Sequence, residues 1–138
     1  MTIIDASGLI LGRLSSEVSK RLLNGESVVI VNSKDCLISG SKNFIFSMYK
    51  IKRDRGSKER GPYFPRMPDM ILRRTIRGML PYKKSRGREA YRHLKVYVGV
   101  PDGLNETFES VSSASYSRLG TMKYVRLGDV SKKLGSKF

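Results

Sequence analysis

An α/β domain built around a parallel sheet is the fold this sequence predicts, and three observations lead there. Short β-branched runs, Thr2 to Asp5 and Ser27 to Val31, alternate with stretches whose apolar residues recur at helical spacing. The second run is nearly all apolar, as in a strand covered on both faces. A length of 138 residues, 39% of them hydrophobic, suffices to bury one core, so a single domain over residues 1–138 is expected.

The elements follow in order. Thr2 to Asp5 reads as a strand and Ala6-Ser7-Gly8 as a turn. Leu11, Leu14, Val18 and Leu22 then share one helical face, and Asn24-Gly25 stops the helix because both residues tolerate the left-handed conformation. After the strand at Ser27 to Val31, Cys36-Leu37-Ile38 makes a shorter one. Ser39-Gly40-Ser41 turns into a helix from Lys42 to about Asp54, apolar at Phe44 or Ile45, Met48 and Ile51. Arg55 to Pro65 is loop chemistry, with Gly61-Pro62 and Pro65 blocking regular structure. Pro68-Asp69 opens the next helix: proline suits its first position and the acid complements its dipole. Leu72, Ile76, Met79 and Leu80 form its apolar stripe, with Arg73, Arg74 and Arg77 off it. Pro81 ends it. Tyr82 to Gly87 reads as a basic loop, Arg88 to His93 as a short helix and Lys95 to Val100 as the last strand. Residues 104–138 read as an irregular extension in which Asp129 to Leu134 makes one short helix.

Charge points to the partner. Of the net +15, twelve lie between Lys50 and Lys95, where sixteen Lys or Arg face four acids. Arginine outnumbers lysine there, which favours bidentate contacts to phosphate over diffuse attraction. A polyanion is therefore the expected partner, nucleic acid first. The candidate contacts are Lys52, Arg53, Arg55, Lys58, Arg60, Arg73, Arg74, Arg77, Lys83, Lys84, Arg86 and Arg88. Arg60-Gly61-Pro62-Tyr63-Phe64 sets aromatics beside arginine in an irregular segment, suited to stacking on an unpaired base or to packing on the domain. Lys83 to Arg88 contains a glycine and reads as a basic loop able to follow a backbone. Both loops bury too little apolar surface to offset their ordering entropy, so both are expected to be mobile until RNA fixes them.

Other classes find little support. Gly8-x-x-x-Gly12-Arg13 has neither phosphate-loop nor dinucleotide spacing, and its glycines read as a turn and a close helix–sheet approach. Ser39-Gly40-Ser41-Lys42 fits a helix cap or a phosphate site equally well. One histidine, His93, and one cysteine, Cys36, cannot build a zinc site, and neither has a recognisable catalytic companion. The acids are dispersed, leaving two-metal chemistry without ligands. No enzymatic activity and no cofactor are expected, nor any small-molecule substrate. A lone cysteine excludes an internal disulfide. The apolar runs fall far below the roughly 20 residues of a membrane span, and the start of the chain leaves no room for a signal peptide. A soluble cytosolic protein is expected. An RNA-processing enzyme and a DNA-compacting protein are the competing classes; the first would need a cofactor loop or an acid pair.

Ile76-Arg77-Gly78-Met79-Leu80-Pro81, then Gly87-Arg88, then Leu94 to Gly99 at the observed spacing resemble the signature of the universal large-subunit ribosomal protein thirteen family. Ile4-Asp5-Ala6, Leu11 to Ser16, Val29 to Asn32 and Ile38-Ser39-Gly40 resemble family segments in the same order. Arg60-Gly61-Pro62 and Arg74-Thr75-x-Arg77-Gly78 resemble its archaeal and eukaryotic branch. The likeness covers about residues 2–103. It implies a three-layer α/β/α domain on a four-stranded parallel sheet. It also implies a structural role in the large subunit, binding 23S-type rRNA from early assembly onward beside neighbouring ribosomal proteins. Ser15 and Ser16 stand where members often carry alanine, so small size is kept.

Overall fold

A computed structural model describes residues 2–104, 107–118, 120 and 123–138. Strands β1 (Thr2–Asp5), β2 (Val28–Val31) and β4 (Leu94–Val96) form a parallel sheet in the order β1-β2-β4. Ile3 pairs with Val29 and Val29 with Lys95. Alternation along these strands sorts their side chains to two faces. Ile4, Val28 and Ile30 enter the main core, and Ile3, Val29 and Val31 a smaller cluster with Leu104 and Phe108.

Helix α1 (Leu11–Leu23) places Leu11, Leu14, Val18 and Leu22 in the main core and ends at Gly25 with φ +91°. Its buried Ser15 and Ser19 would be orphaned polar groups, but their hydroxyls donate to the carbonyls of Leu11 and Ser15 at 2.7 Å. Helix α3 (Pro68–Met79) buries Ile71, Leu72 and Ile76, and α4 (Ser85–Arg92) adds Ala90. Fully burying a side chain such as Leu72 contributes about 1.5–3 kcal/mol.

The short strand expected at Cys36-Leu37-Ile38 forms, but outside the parallel sheet. β3 (Leu37–Ser39) pairs antiparallel with β5 (Tyr124–Arg126), Leu37 opposite Arg126. The cause lies just upstream, where left-handed Asn32 (φ 58°) and a 3-10 turn at Ser33–Asp35 swing the chain off the sheet. Among the described residues the parallel sheet has three strands, β1, β2 and β4; the family resemblance implied four. On the free edge of β1, Glu109 makes a single parallel bridge to Ile4, its N–H donating to Ile3 O at 2.8 Å and its carbonyl accepting from Asp5 at 3.0 Å. Arg21 of α1 holds the Glu109 carboxylate at 2.8 Å. That contact, outweighing desolvation, keeps the carboxyl below its ordinary value.

Residues beyond 104 hold more than one helix. Besides β5 they form 3-10 turns at Ser112–Ala114 and Tyr116–Arg118 and helix α5 (Leu127–Lys133). Val111, Ala114, Leu127, Val130 and Leu134 lie in the same core as Ile4 and Leu14. Helix α2 (Lys42–Asp54) contributes Ile45 and Tyr49 to it, while Phe44 and Ile51 face outward. Met79, expected on the stripe of α3, is exposed, while Leu72, Ile76 and Leu80, four residues apart, are buried in the core.

Candidate nucleic-acid interface

The last turn of α2 carries Lys52 and Arg53, where cations complement the negative helix end. The chain then leaves as Arg55 and folds into a hairpin. Ser57 and Gly61 exchange backbone hydrogen bonds of 3.1 and 2.9 Å, Ser57 Oγ accepts from the N–H of Arg60 at 3.0 Å, and the Tyr63 hydroxyl donates to Lys58 O. Gly56, at φ +91°, lies so close to Gly61 that a Cβ would stand 2.3 Å from its carbonyl oxygen. Gly61-Pro62 is a cis peptide. The expected loop is therefore a closed turn that holds Lys58 and Arg60 out into solvent.

The two aromatics of this segment part company. Phe64 is half-buried, 6.0 Å from Tyr49 between ring centroids, with Lys52 Nζ 5.1 Å above Tyr49 and 5.6 Å above Phe64. Tyr63 is 63% exposed, its hydroxyl tied to the hairpin at Lys58 O. It lines a cleft of about 190 Å³ with Lys52, Arg55 and Arg74. Arg74 thus links the end of α2 to the exposed side of α3.

On α3, Arg73 and Arg77 stand one turn apart, and each guanidinium lies over a tyrosine: Arg73 4.7 Å from Tyr91, Arg77 5.0 Å from Tyr82. The two rings meet edge to face at 5.6 Å and 82°. Stacking holds the guanidinium planes in place and leaves their N–H groups for an anion, which lowers the ordering cost of binding. Arg77 also shares a groove of about 460 Å³ with Pro81, Lys83 and Lys84.

The expected basic loop at Lys83 to Arg88 is helical from Ser85 onward. Gly87 marks a close packing point rather than a flexible one: a Cβ there would lie 2.0 Å from Pro81 O and 2.8 Å from Tyr82 N. Arg88 Nη1 donates to Lys83 O at 3.1 Å, and Arg86 projects into solvent.

The expected cations thus occupy the end of α2, the hairpin, the outer side of α3 and the start of α4. Among the described residues, Arg53 alone of the twelve lies within ion-pair distance of an acid, with Nε 3.0 Å from Asp54. The field of the band is therefore largely uncompensated. Sequence reasoning missed three participants. Arg66 lines a cleft of about 340 Å³ with Arg53, Arg55 and Lys58. Tyr82 and Tyr91 carry Arg77 and Arg73; their only signal was aromatic residues amid basic ones. At the strand-to-α2 turn, Ser41 Oγ accepts from the N–H of Phe44 at 3.4 Å, as an N-cap does.

His93 is exposed at the end of α4, its Nδ1 3.4 Å from Ser27 Oγ. Cys36 is fully buried, donates to Leu9 O at 3.2 Å, and has its thiol pushed up to about 12 by desolvation. Only the thiolate reacts, so Cys36 is expected to resist iodoacetamide at neutral pH until the protein unfolds. Mass spectrometry with and without denaturant checks this; rapid native labelling would contradict it. His93→Gln and Cys36→Ala are expected to leave RNA binding near normal, measured by filter binding on folded protein. No group of three or more His, Cys, Asp or Glu able to hold a metal occurs among the described residues. No helix among them is long and apolar enough to cross a membrane.

Comparison with known proteins adds a relationship. A family model described as "Ribosomal protein L13" matches residues 1–102. A protein named "Large ribosomal subunit protein uL13" from Methanococcoides burtonii is 57% identical over 139 residues, covering all of both chains. The protein of that name from Archaeoglobus fulgidus is 57% identical, spanning 97% of this chain and 87% of its own. The one from Methanocaldococcus jannaschii is 51% identical across both full lengths.

Proposed function

This chain belongs to the ribosomal protein L13 family, and we propose that it serves as a non-enzymatic structural constituent of the large ribosomal subunit in the cytoplasm. In this reading it binds folded 23S-type rRNA from early assembly onward, as one domain over residues 1–138 with neighbouring ribosomal proteins at its other surfaces. The observation that carries the RNA assignment is the band running from Lys52 and the 57–61 hairpin across Arg73, Arg74 and Arg77 to Lys83 and Lys84. Its cations are exposed or half-buried and largely lack acidic partners. Phosphate and shape contacts supply most of the affinity, since cation-for-counterion exchange is indifferent to base identity. The segment around Glu109 is taken as the fourth parallel strand, supported by its bridge to Ile4.

The assignment is tested by sedimentation with large subunits under rising salt. The chain is expected to stay with the subunit at salt that strips loosely bound basic proteins; release together with them would refute it. A companion measurement is hydrogen exchange with and without an rRNA fragment. Amides of Lys58, Glu59 and Lys83, exposed beside the turns at Ser57–Gly61 and Pro81–Lys84, are expected to gain protection, while those of β1 and β2 change little. No gain in either segment would show that RNA binds elsewhere.

A further inference from the structure

A built cleft lies outside the basic band. At the carboxyl ends of β1 and β2, Ser7 and Gly8 meet Asp35, Tyr116, Tyr124 and Arg126 around a cavity of about 340 Å³. Its position in the sheet is informative. The chain steps from β1 to β2 to β4 in one direction and then returns to the opposite edge of β1 at Glu109. In open α/β sheets the crevice outside the strand ends, where the order reverses, is the usual place for a ligand. The segments leaving β1 and Glu109 are tied together there: Tyr116 donates its N–H to Gly8 O at 3.0 Å, and Ile10 donates to Ala114 O at 2.7 Å.

The lining has a definite chemistry. Tyr124 and Arg126 alternate with buried Val125 on β5, so both side chains leave the same face of the strand pair. Leu37, opposite Arg126, is buried at the floor. Tyr116 and Tyr124 are 60% and 49% exposed and line the same cleft. Gly8, at φ +72°, brings backbone close to Tyr116: a Cβ would lie 3.5 Å from its ring. The walls therefore offer two π faces, an apolar floor, one guanidinium and one carboxylate.

We propose that this cleft binds a single nucleotide, its base stacked on Tyr116 and Tyr124 and its phosphate paired with Arg126. Asp35 then accepts from an exocyclic amine of the base, which favours guanine, adenine or cytosine over uracil. No residue of the cleft belongs to the 50–95 band, so the site stands or falls independently of the interface proposed above. The nucleotide comes either from solution or from an unpaired position of an RNA strand.

Amide resonances of Ser7, Gly8 and Arg126 in the full chain report on occupancy. The probes are 5′-GMP, a guanine-containing single-stranded RNA tetramer, and the same sequence in a duplex. Shifts with the single strand but not the duplex are expected; shifts of equal size with 5′-GMP identify a free nucleotide as sufficient, and their absence identifies the strand as the source. The Tyr116→Ala/Tyr124→Ala variant is expected to weaken binding roughly tenfold or more. Tyr116→Leu, which keeps an apolar side chain without a π face, weakens it in a protein whose fold is undisturbed. Silence of these resonances toward every probe at millimolar concentration overturns the proposal. So does unchanged affinity in Tyr116→Leu, or a preference for duplex.

Discussion

Replacing Arg73, Arg74 and Arg77 together with glutamine is expected to weaken binding to folded large-subunit rRNA by about a hundredfold at physiological salt. The three side chains project from the outer side of α3 while Ile71, Leu72 and Ile76 hold the helix to the core, so the fold should survive. Removing a cation from a phosphate abolishes one counterion-release event, lowering the slope of log affinity against log salt by roughly 0.7–0.9. The triple replacement therefore flattens the slope by roughly 2–3. The rings of Tyr82 and Tyr91 remain in the variant, so any residual stacking is kept apart from the charge effect. A folded variant with an unchanged slope would show that these arginines do not touch phosphate.

Gly87→Ala is expected to have a large effect for a single substitution near the interface. The added Cβ would meet the Pro81 carbonyl carbon at 2.3 Å and its oxygen at 2.0 Å, both backbone atoms that cannot rotate aside. Either α4 lifts away or the Leu80–Tyr82 corner shifts. Overpacking of this kind costs about 1–3 kcal/mol. Lifting α4 also moves Tyr91 from beneath Arg73 and displaces Lys83 and Lys84, so RNA affinity falls along with stability. Denaturant titration and RNA binding on the same variant check both parts. Gly78→Ala, where a Cβ meets nothing within 4 Å, serves as the control and should cost little. Equal stability of the two variants would contradict the close-packing role of Gly87.

Where pattern and local chemistry decide structure, the sequence was legible. β1, β2 and α1 lie where β-branched runs and helical spacing indicated, and Pro68 opens α3 as its fixed φ favours. Non-local causes were not legible. The direction of β3 depends on a left-handed Asn32 and on a strand near the far end of the chain. On α2 the spacing pointed to Phe44 or Ile45, Met48 and Ile51 and did not single out Tyr49. Tyr49 is buried, and it packs against Phe64, fifteen residues on. Gly87 resembled a loop glycine because sequence does not distinguish flexibility from close approach. The charge of the middle third was plain from residue types alone. What composition could not show was that two tyrosines hold Arg73 and Arg77 in place, or that Arg74 joins the α2 end to α3.

Lysine acetylation measured on the free protein, in the assembled large subunit and after ribonuclease digestion tests the central claim most directly. Lys52, Lys58, Lys83 and Lys84 are exposed in the free chain, as are Lys20 and Lys34 outside the band. The four band lysines are expected to become protected in the subunit and to regain reactivity when the RNA is digested. If they react in the subunit as they do in the free chain, or stay protected once the RNA is gone, the band is not an RNA interface.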